Sequence, residues 1–259
     1  MAPVPFSLVK WYMDCVTEQG ETAILYLANL RWRGLHGSYS SILLADRDTN
    51  TTRSSIGRHR VQCNDGRIQV EFAKLGVAGI WTATAPPVQH TMYENLAGSV
   101  NWNCLQPASS VRLTVGGREY AGLGYAECLT LTLLPWQLPM RKLKWGRFVS
   151  EQDSLAWIDW KGPYSAQLCV HNGQKCQAFG ISDSEIDFDG ATLRMEDSLA
   201  LRSGKLGSTV LPGLPALGKI LPGALFNIDE TKWRCRGTLD APGRQSHGWA
   251  IHEVVHWNC

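Results

Sequence analysis

Four short strings recur in the same order along this 259-residue chain. Leu30-Arg31-Trp32 returns as Leu143-Lys144-Trp145, and Asp65-Gly66 returns as Asp189-Gly190. Trp102-Asn103-Cys104 returns as Trp233-Arg234-Cys235, and Gly124-Tyr125-Ala126 returns as Gly248-Trp249-Ala250. A single pair is chance; four in order imply an internal duplication, which restricts the chain to folds made of two like halves. The boundary falls in Leu134-Pro135-Trp136-Gln137-Leu138-Pro139, where two prolines interrupt any strand. The halves are 1–135 and 136–259.

The turn chemistry is that of antiparallel sheets. Asn64-Asp65-Gly66 sits between Arg60-Val61-Gln62 and Ile68-Gln69-Val70, a hairpin signal, and Asn172-Gly173 and Gly116-Gly117 are similar. Between the turns lie short alternating runs such as Thr22 to Ala28, Leu129 to Leu134 and Leu155 to Trp160. No long segment has apolar residues at helical spacing. Each half is therefore expected to be an antiparallel barrel or a strongly curved sheet, all-β.

Composition narrows the function classes. A net charge of +2 gives no footprint for nucleic acid. Eleven Trp suit either a roomy apolar site or a plain core. The eight Cys form no CxxC pair, and Met1 to Leu8 lacks a basic stretch followed by an apolar run. Together these predict reduced thiols and a cytoplasmic protein. The segment 211–223 is apolar yet rich in Pro and Gly. It reads as a loop packed over a barrel, a lid, or a patch for peripheral membrane contact.

One strand carries a candidate for chemistry. In Gly124 to Leu133, alternation places Tyr125, Glu127, Leu129, Leu131 and Leu133 on one face and Ala126, Cys128, Thr130 and Thr132 on the other. Glu127 thus lies on an apolar face, where a carboxylate is costly unless neutralised or paired. Burial of that kind keeps a carboxyl protonated, as a general acid requires. The alternative is a structural pair with one of the many Arg. In the second half Trp249, Ile251, Glu253, Val255 and Trp257 share a face, and Glu253 is displaced by one side-chain position from Glu127.

His252-Glu253-Val254-Val255-His256 also matches H-E-x-x-H, a zinc-site pattern. That pattern needs a helix; on a strand the two His stand about 13 Å apart. The repeat assigns this segment to a strand, so no metal site is expected. Asp159 between two Trp, and Tyr93 with Glu94, are weaker candidates for a site. No phosphate-binding loop or dinucleotide fingerprint occurs.

With these residues in view, the chain resembles a superfamily of two-domain lipocalin-like proteins that includes carotenoid 1,2-hydratases, AttH-type proteins and lipocalin-like Diels–Alderases. Lys10-Trp11-Tyr12-Met13-Asp14, with Gly20 following, resembles their opening strand. Gly124-Tyr125-Ala126-Glu127 resembles their Gly-Tyr-x-Asp-His motif, with Cys128 where the His would stand. The resemblance implies two lipocalin-like (calycin-like) barrels. It also implies a cofactor-independent enzyme that protonates an isoprenoid or polyene for hydration, cyclisation or isomerisation. Glu127 and Glu253 are the candidate acids, and Tyr125, Trp11, Tyr12, Trp102, Trp233 and Trp249 the candidate substrate-binding residues. The alternative is a non-catalytic carrier of a hydrophobic small molecule.

Overall fold

The computed structural model describes residues 6–57, 59–205 and 228–257. The apolar segment 211–223 lies outside the described residues. The chain divides into two compact units, Met1–Gln137 and Leu138–Cys259, with the division inside the proline-bounded stretch 134–139.

The first unit consists of β1 (Phe6–Val16), β2 (Thr22–Trp32), β3 (Leu35–Ala45), β4 (Asn50–Ile56), β5 (Arg60–Asn64), β6 (Arg67–Phe72), β7 (Val77–Ala83), β8 (Val88–Asn95), β9 (Gly98–Val115) and β10 (Arg118–Leu131). They form one antiparallel sheet in the order β4-β3-β2-β1-β10-β9-β7-β6-β5, with β8 paired to β9. The second unit consists of β11 (Lys142–Val149), β12 (Ser154–Lys161), β13 (Ala166–His171), β14 (Gln174–Cys176), β15 (Ala178–Ile181), β16 (Glu185–Phe188), β17 (Ala191–Lys205), β18 (Asp229–Ala241) and β19 (Arg244–His256). Its order is β14-β13-β12-β11-β19-β18-β17-β16-β15, which is the first order again. Two-residue hairpins fall where the sequence placed them. Asp65-Gly66 and Asn172-Gly173 hold both residues at positive φ (41° and 72°; 51° and 77°), which Asp, Asn and Gly tolerate and which matches the twist of the flanking strands.

Strand order also tests the repeated strings. Trp102–Cys104 and Trp233–Cys235 occupy equivalent strands, β9 and β18, and Gly124–Ala126 and Gly248–Ala250 occupy β10 and β19. The other two pairs are out of register. Leu30–Trp32 ends β2, whereas Leu143–Trp145 lies in β11, the counterpart of β1; Asp65-Gly66 joins β5 to β6, whereas Asp189-Gly190 joins β16 to β17. Hairpin ends draw on the same few residue types, so their likeness reflects turn chemistry rather than position. The two glycines of the fourth pair have a specific cause. A Cβ on Gly124 would come within 2.1 Å of the Asp14 carbonyl oxygen, and one on Gly248 within 2.3 Å of that of Val149.

The units differ in how one strand bends. Pro86-Pro87 separates β7 from β8, which pair with successive stretches of β9. The counterpart β17 has no proline and runs unbroken along β18, with register shifts at 196–199 and 200–202 and Asp197 at φ 50°. A bulge thus does in one unit what a proline break does in the other.

Each sheet wraps its own apolar core. In the first unit Met13, Leu25, Ile42, Ile68, Phe72, Trp81, Leu113 and Ala126 pack together; in the second, Phe148, Leu155, Trp157, Ile186, Phe188, Leu193, Leu239 and Ala250 do. Among the described residues no helix is long and apolar enough to cross a membrane.

Candidate active site

The face occupied by Glu127 departs from the sequence reading. The β1–β10 register runs Cys15↔Gly124, Asp14↔Tyr125, Met13↔Ala126, Tyr12↔Glu127, Trp11↔Cys128. The first core is built on the Met13, Cys15 and Ala126 side. Glu127 and Tyr125 therefore point to the opposite face from the core, and the run Leu129, Leu131, Leu133 does not mark the interior. Alternation misleads here because the middle of β10 is buried on both faces: Tyr125, Ala126, Glu127 and Cys128 are all at most 9 % exposed. A strand covered on both sides carries no two-residue polarity signal.

On that second face Glu127 sits in an aromatic setting. Its Oε2 accepts a hydrogen bond from Trp102 Nε1 at 2.5 Å and another from Tyr125 Oη at 2.7 Å. Tyr12 stands directly across on β1, its ring edge-on to Tyr26 at 5.4 Å and to Tyr125 at 6.1 Å. Cys104 opposes Glu127 on β9. Lys10 lies over the Tyr26 ring at 5.7 Å. The β9–β10 ladder shifts register between Gly124 and Glu127. Bulges of this kind re-aim side chains, and here the indole opposite Leu129 reaches diagonally to Glu127.

Burial pushes the Tyr125 phenol well above its ordinary value, and the nearby Cys104 and Glu127 push it the same way. Burial likewise raises the Cys104 thiol. Tyr125 therefore remains a protonated donor across the working pH range. Two preorganised neutral donors on one carboxyl oxygen stabilise negative charge there without supplying a proton of their own.

The second unit places different chemistry in the equivalent strands. Met13↔Ala126 corresponds to Phe148↔Ala250, so Ile251 stands where Glu127 does and His252 stands where Cys128 does. Glu253 corresponds to Leu129 and is ion-paired with Lys232, whose ammonium lies 5.1 Å from the Trp145 ring centroid. On the same side Arg234 and Arg236 lie over Trp249 at 4.9 and 4.6 Å, and Arg147 Nη1 donates to the Trp249 carbonyl at 2.5 Å. His252 faces the other way, into the core side. It stacks on Trp233 at 5.0 Å and 19°, and burial lowers its pKa to about 4. His252–His256 is part of strand β19, so its two imidazoles share a face without converging on one point.

The predicted site residues are thus brought together only in part. Glu127, Tyr125, Trp102 and Tyr12 form one cluster. Trp11 belongs to the opposite face, packed against the first core. Trp233 and Trp249 lie in the second unit on opposite faces of their sheet, because Trp233 opposes His252 and Trp249 alternates with it. Asp159 accepts from Gln167 at 2.9 Å and pairs with Lys161 at 3.1 Å, a structural arrangement at a strand. Tyr93 Oη accepts from Asn95 Nδ2 at 3.1 Å in an exposed hairpin. A groove of about 670 Å³, lined by charged residues such as Arg60, Glu71 and Arg112 together with apolar ones such as Val70, Ile80 and Leu113, includes none of the Glu127 cluster. Tyr26, Lys10 and Cys104 were missed from sequence; strand register (Tyr12↔Tyr26, Glu127↔Cys104) is the signal that finds them.

Fold and site together define a two-unit protein of lipocalin-like fold in which the buried acid Glu127 is set among aromatic rings, with Asp14, also buried, directly opposite Tyr125. Solved structures share this architecture. Over 97 % of this chain, an AttH-like protein from Nitrosomonas europaea matches with TM-score 0.60 and 10 % identity, covering 93 % of that chain. CghA matches with TM-score 0.61 and 11 % identity over 97 % of this chain and 88 % of its own. Kievitone hydratase from Nectria haematococca matches with TM-score 0.57 and 10 % identity over 97 % of this chain and 90 % of its own. At such identity the likeness is one of fold, the fold implied by the opening-strand and Gly-Tyr motifs. No protein-family model and no curated protein sequence matches the chain.

Proposed function

We propose that this protein is a cofactor-independent enzyme that protonates an apolar isoprenoid or polyene, with Glu127 as the acid. The observation that carries the reading is the buried Glu127 carboxyl, held at Oε2 by Trp102 and Tyr125. In this scheme the Glu127 proton moves to one alkene carbon, leaving a carboxylate on the protein and a cation on the substrate. The two donors stabilise that carboxylate as it forms. The rings of Tyr12 and Trp102 stabilise the cation; Tyr26 is already engaged by Lys10. The proton returns to Glu127 from an adding water, giving hydration, or from an adjacent carbon, giving cyclisation or isomerisation. The name of one neighbour of like fold, kievitone hydratase, is in keeping with this reading. The ion pair with Lys232 favours a structural role for Glu253, so the reading assigns the chemistry to Glu127 alone.

The test is mass spectrometry of an organic extract from gently purified protein, followed by incubation of whatever compound is recovered, or of a polyene panel, with the enzyme. The reading predicts a terpenoid or polyene that is converted to a product. A compound that binds and is returned unchanged would instead make the protein a carrier, with Glu127 only hydrogen-bonding the ligand. A clean extract together with no binding of any polyene in the panel would overturn both.

A further inference from the structure

The geometry points to a modification site in the second unit: Cys169 and Cys176 form a reversible disulfide by exchange with a low-molecular-weight disulfide such as oxidised glutathione. The two residues face each other directly across the β13–β14 hairpin, in the register Cys169↔Cys176, Val170↔Lys175, His171↔Gln174. Directly opposed residues in an antiparallel pair share a face, with Cα atoms about 4.5–5.5 Å apart. Disulfides span Cα separations of about 4.4–6.8 Å, so the spacing of the opposed pair falls within the range a disulfide bridges. Both cysteines are free thiols. Among the described residues no other two cysteines are paired in strand register.

The two thiols are unequal in a way that sets their roles. Cys169 is 1 % exposed within the second core, whereas Cys176 is half-buried at its margin. The two facing thiols interact, which lowers the Cys176 pKa and raises that of Cys169. A reachable sulfur whose thiolate is stabilised by its neighbour is the attacking group, and the buried one resolves. The Cys176 thiolate attacks one sulfur of the oxidised glutathione, breaking its S–S bond and releasing one glutathione thiolate. That thiolate takes the Cys169 proton. Cys169 then attacks the Cys176 sulfur of the mixed disulfide, expels the second glutathione as thiolate and closes the protein disulfide. Two protein thiols are oxidised and one small disulfide is reduced to two thiols.

The bond has a structural consequence. β14 is a three-residue strand at the end of its sheet, laddered to β13. The next residue, Gln177, donates its N–H to Asp189 Oδ1 at 3.2 Å in the β16–β17 turn. Oxidation would fasten this edge covalently to the core of the second barrel.

The experiment treats the full chain with oxidised glutathione, blocks the remaining thiols by alkylation and maps the tryptic peptides by mass spectrometry. Cleavage after Lys175 separates the two cysteines, so their peptides stay joined only through a disulfide. The expected result is a joined pair lighter by two hydrogens than the two peptides. It should separate with dithiothreitol and persist in a Cys63→Ser variant, which removes an exposed thiol. Recovery of Cys169 and Cys176 as separately alkylated peptides, under conditions where exposed Cys63 carries glutathione, would overturn the proposal. So would Cys176 held as a stable glutathione mixed disulfide beside a free Cys169. Both readouts use the unmutated cysteine pair, so neither depends on a variant that fails to fold.

Discussion

In the first unit the buried carboxyl group of Glu127 meets an indole N–H and a phenol O–H; in the second, the partly buried Glu253 meets the ammonium group of Lys232. The strands that carry them are equivalent, and the acids differ by one side-chain position along them. An ammonium partner fixes a carboxylate in its charged form, which serves packing but not proton donation. Neutral hydrogen-bond donors hold the group in place and stabilise the carboxylate left once a proton has been given up, without adding a fixed positive charge. Equivalent strands of the two units thus give two acids different neighbours, and the proposed function assigns the chemistry to the one set beside an indole and a phenol, Glu127.

The largest effect that would break this comparison is on the backbone positions the units share. Gly124→Ala and Gly248→Ala each force a methyl group against a carbonyl oxygen of the adjacent strand. Each should destabilise its own unit by about 3 kcal/mol or more, in the range of a steric clash inside a packed sheet. Urea unfolding followed by tryptophan fluorescence should show a lowered midpoint for both variants. If only one variant were affected, the structural equivalence of the two glycines would not extend to energetics.

A second, smaller effect sharpens the comparison through pH. His252, in the place that Cys128 holds in the first unit, has its pKa lowered by burial to about 4, against 6.5 when exposed. In the window from 6.5 down to 4 the unfolded chain binds a proton that the folded chain does not, so stability falls as the pH falls. Below about 4 both states are protonated and the loss levels off. The total loss is about 3 kcal/mol. It should be visible as a sloping unfolding midpoint between pH 6.5 and 4 that flattens in His252→Phe, a ring of similar shape able to stack on Trp233. A slope unchanged by the substitution would assign the acid sensitivity to other groups.

Much of the fold was legible in the sequence because hairpin chemistry is local. Asp65-Gly66 and Asn172-Gly173 specify their turns through positive φ, and Leu134–Pro139 separates the units through missing N–H donors. Register and facing were not legible, because both are set by residues distant in sequence. The apolar run Leu129, Leu131, Leu133 suggested the interior, yet the core packs on Ala126, Met13 and Cys15. Glu127, Tyr125, Trp102 and Tyr12 could be assembled in advance, but Trp11 was included with them although it alternates with Tyr12 and faces away. The partners that distinguish the two acids, Trp102 for Glu127 and Lys232 for Glu253, come from neighbouring strands 25 and 21 residues away in sequence.

The division of labour between the two acids is tested most directly by making Glu127→Gln and Glu253→Gln side by side and measuring, for each, unfolding free energy and turnover of a converted polyene. Gln keeps an oxygen for the Trp102 and Tyr125 hydrogen bonds but has no proton to give. Glu127→Gln should therefore keep its stability to within about 1 kcal/mol and lose turnover by about 10²–10⁴-fold. Glu253→Gln should lose about 3–5 kcal/mol by removing the Glu253 charge from the buried Lys232 ammonium, while each folded molecule turns over as before. Unchanged turnover in Glu127→Gln, or a loss of turnover in Glu253→Gln at full stability, would contradict the account.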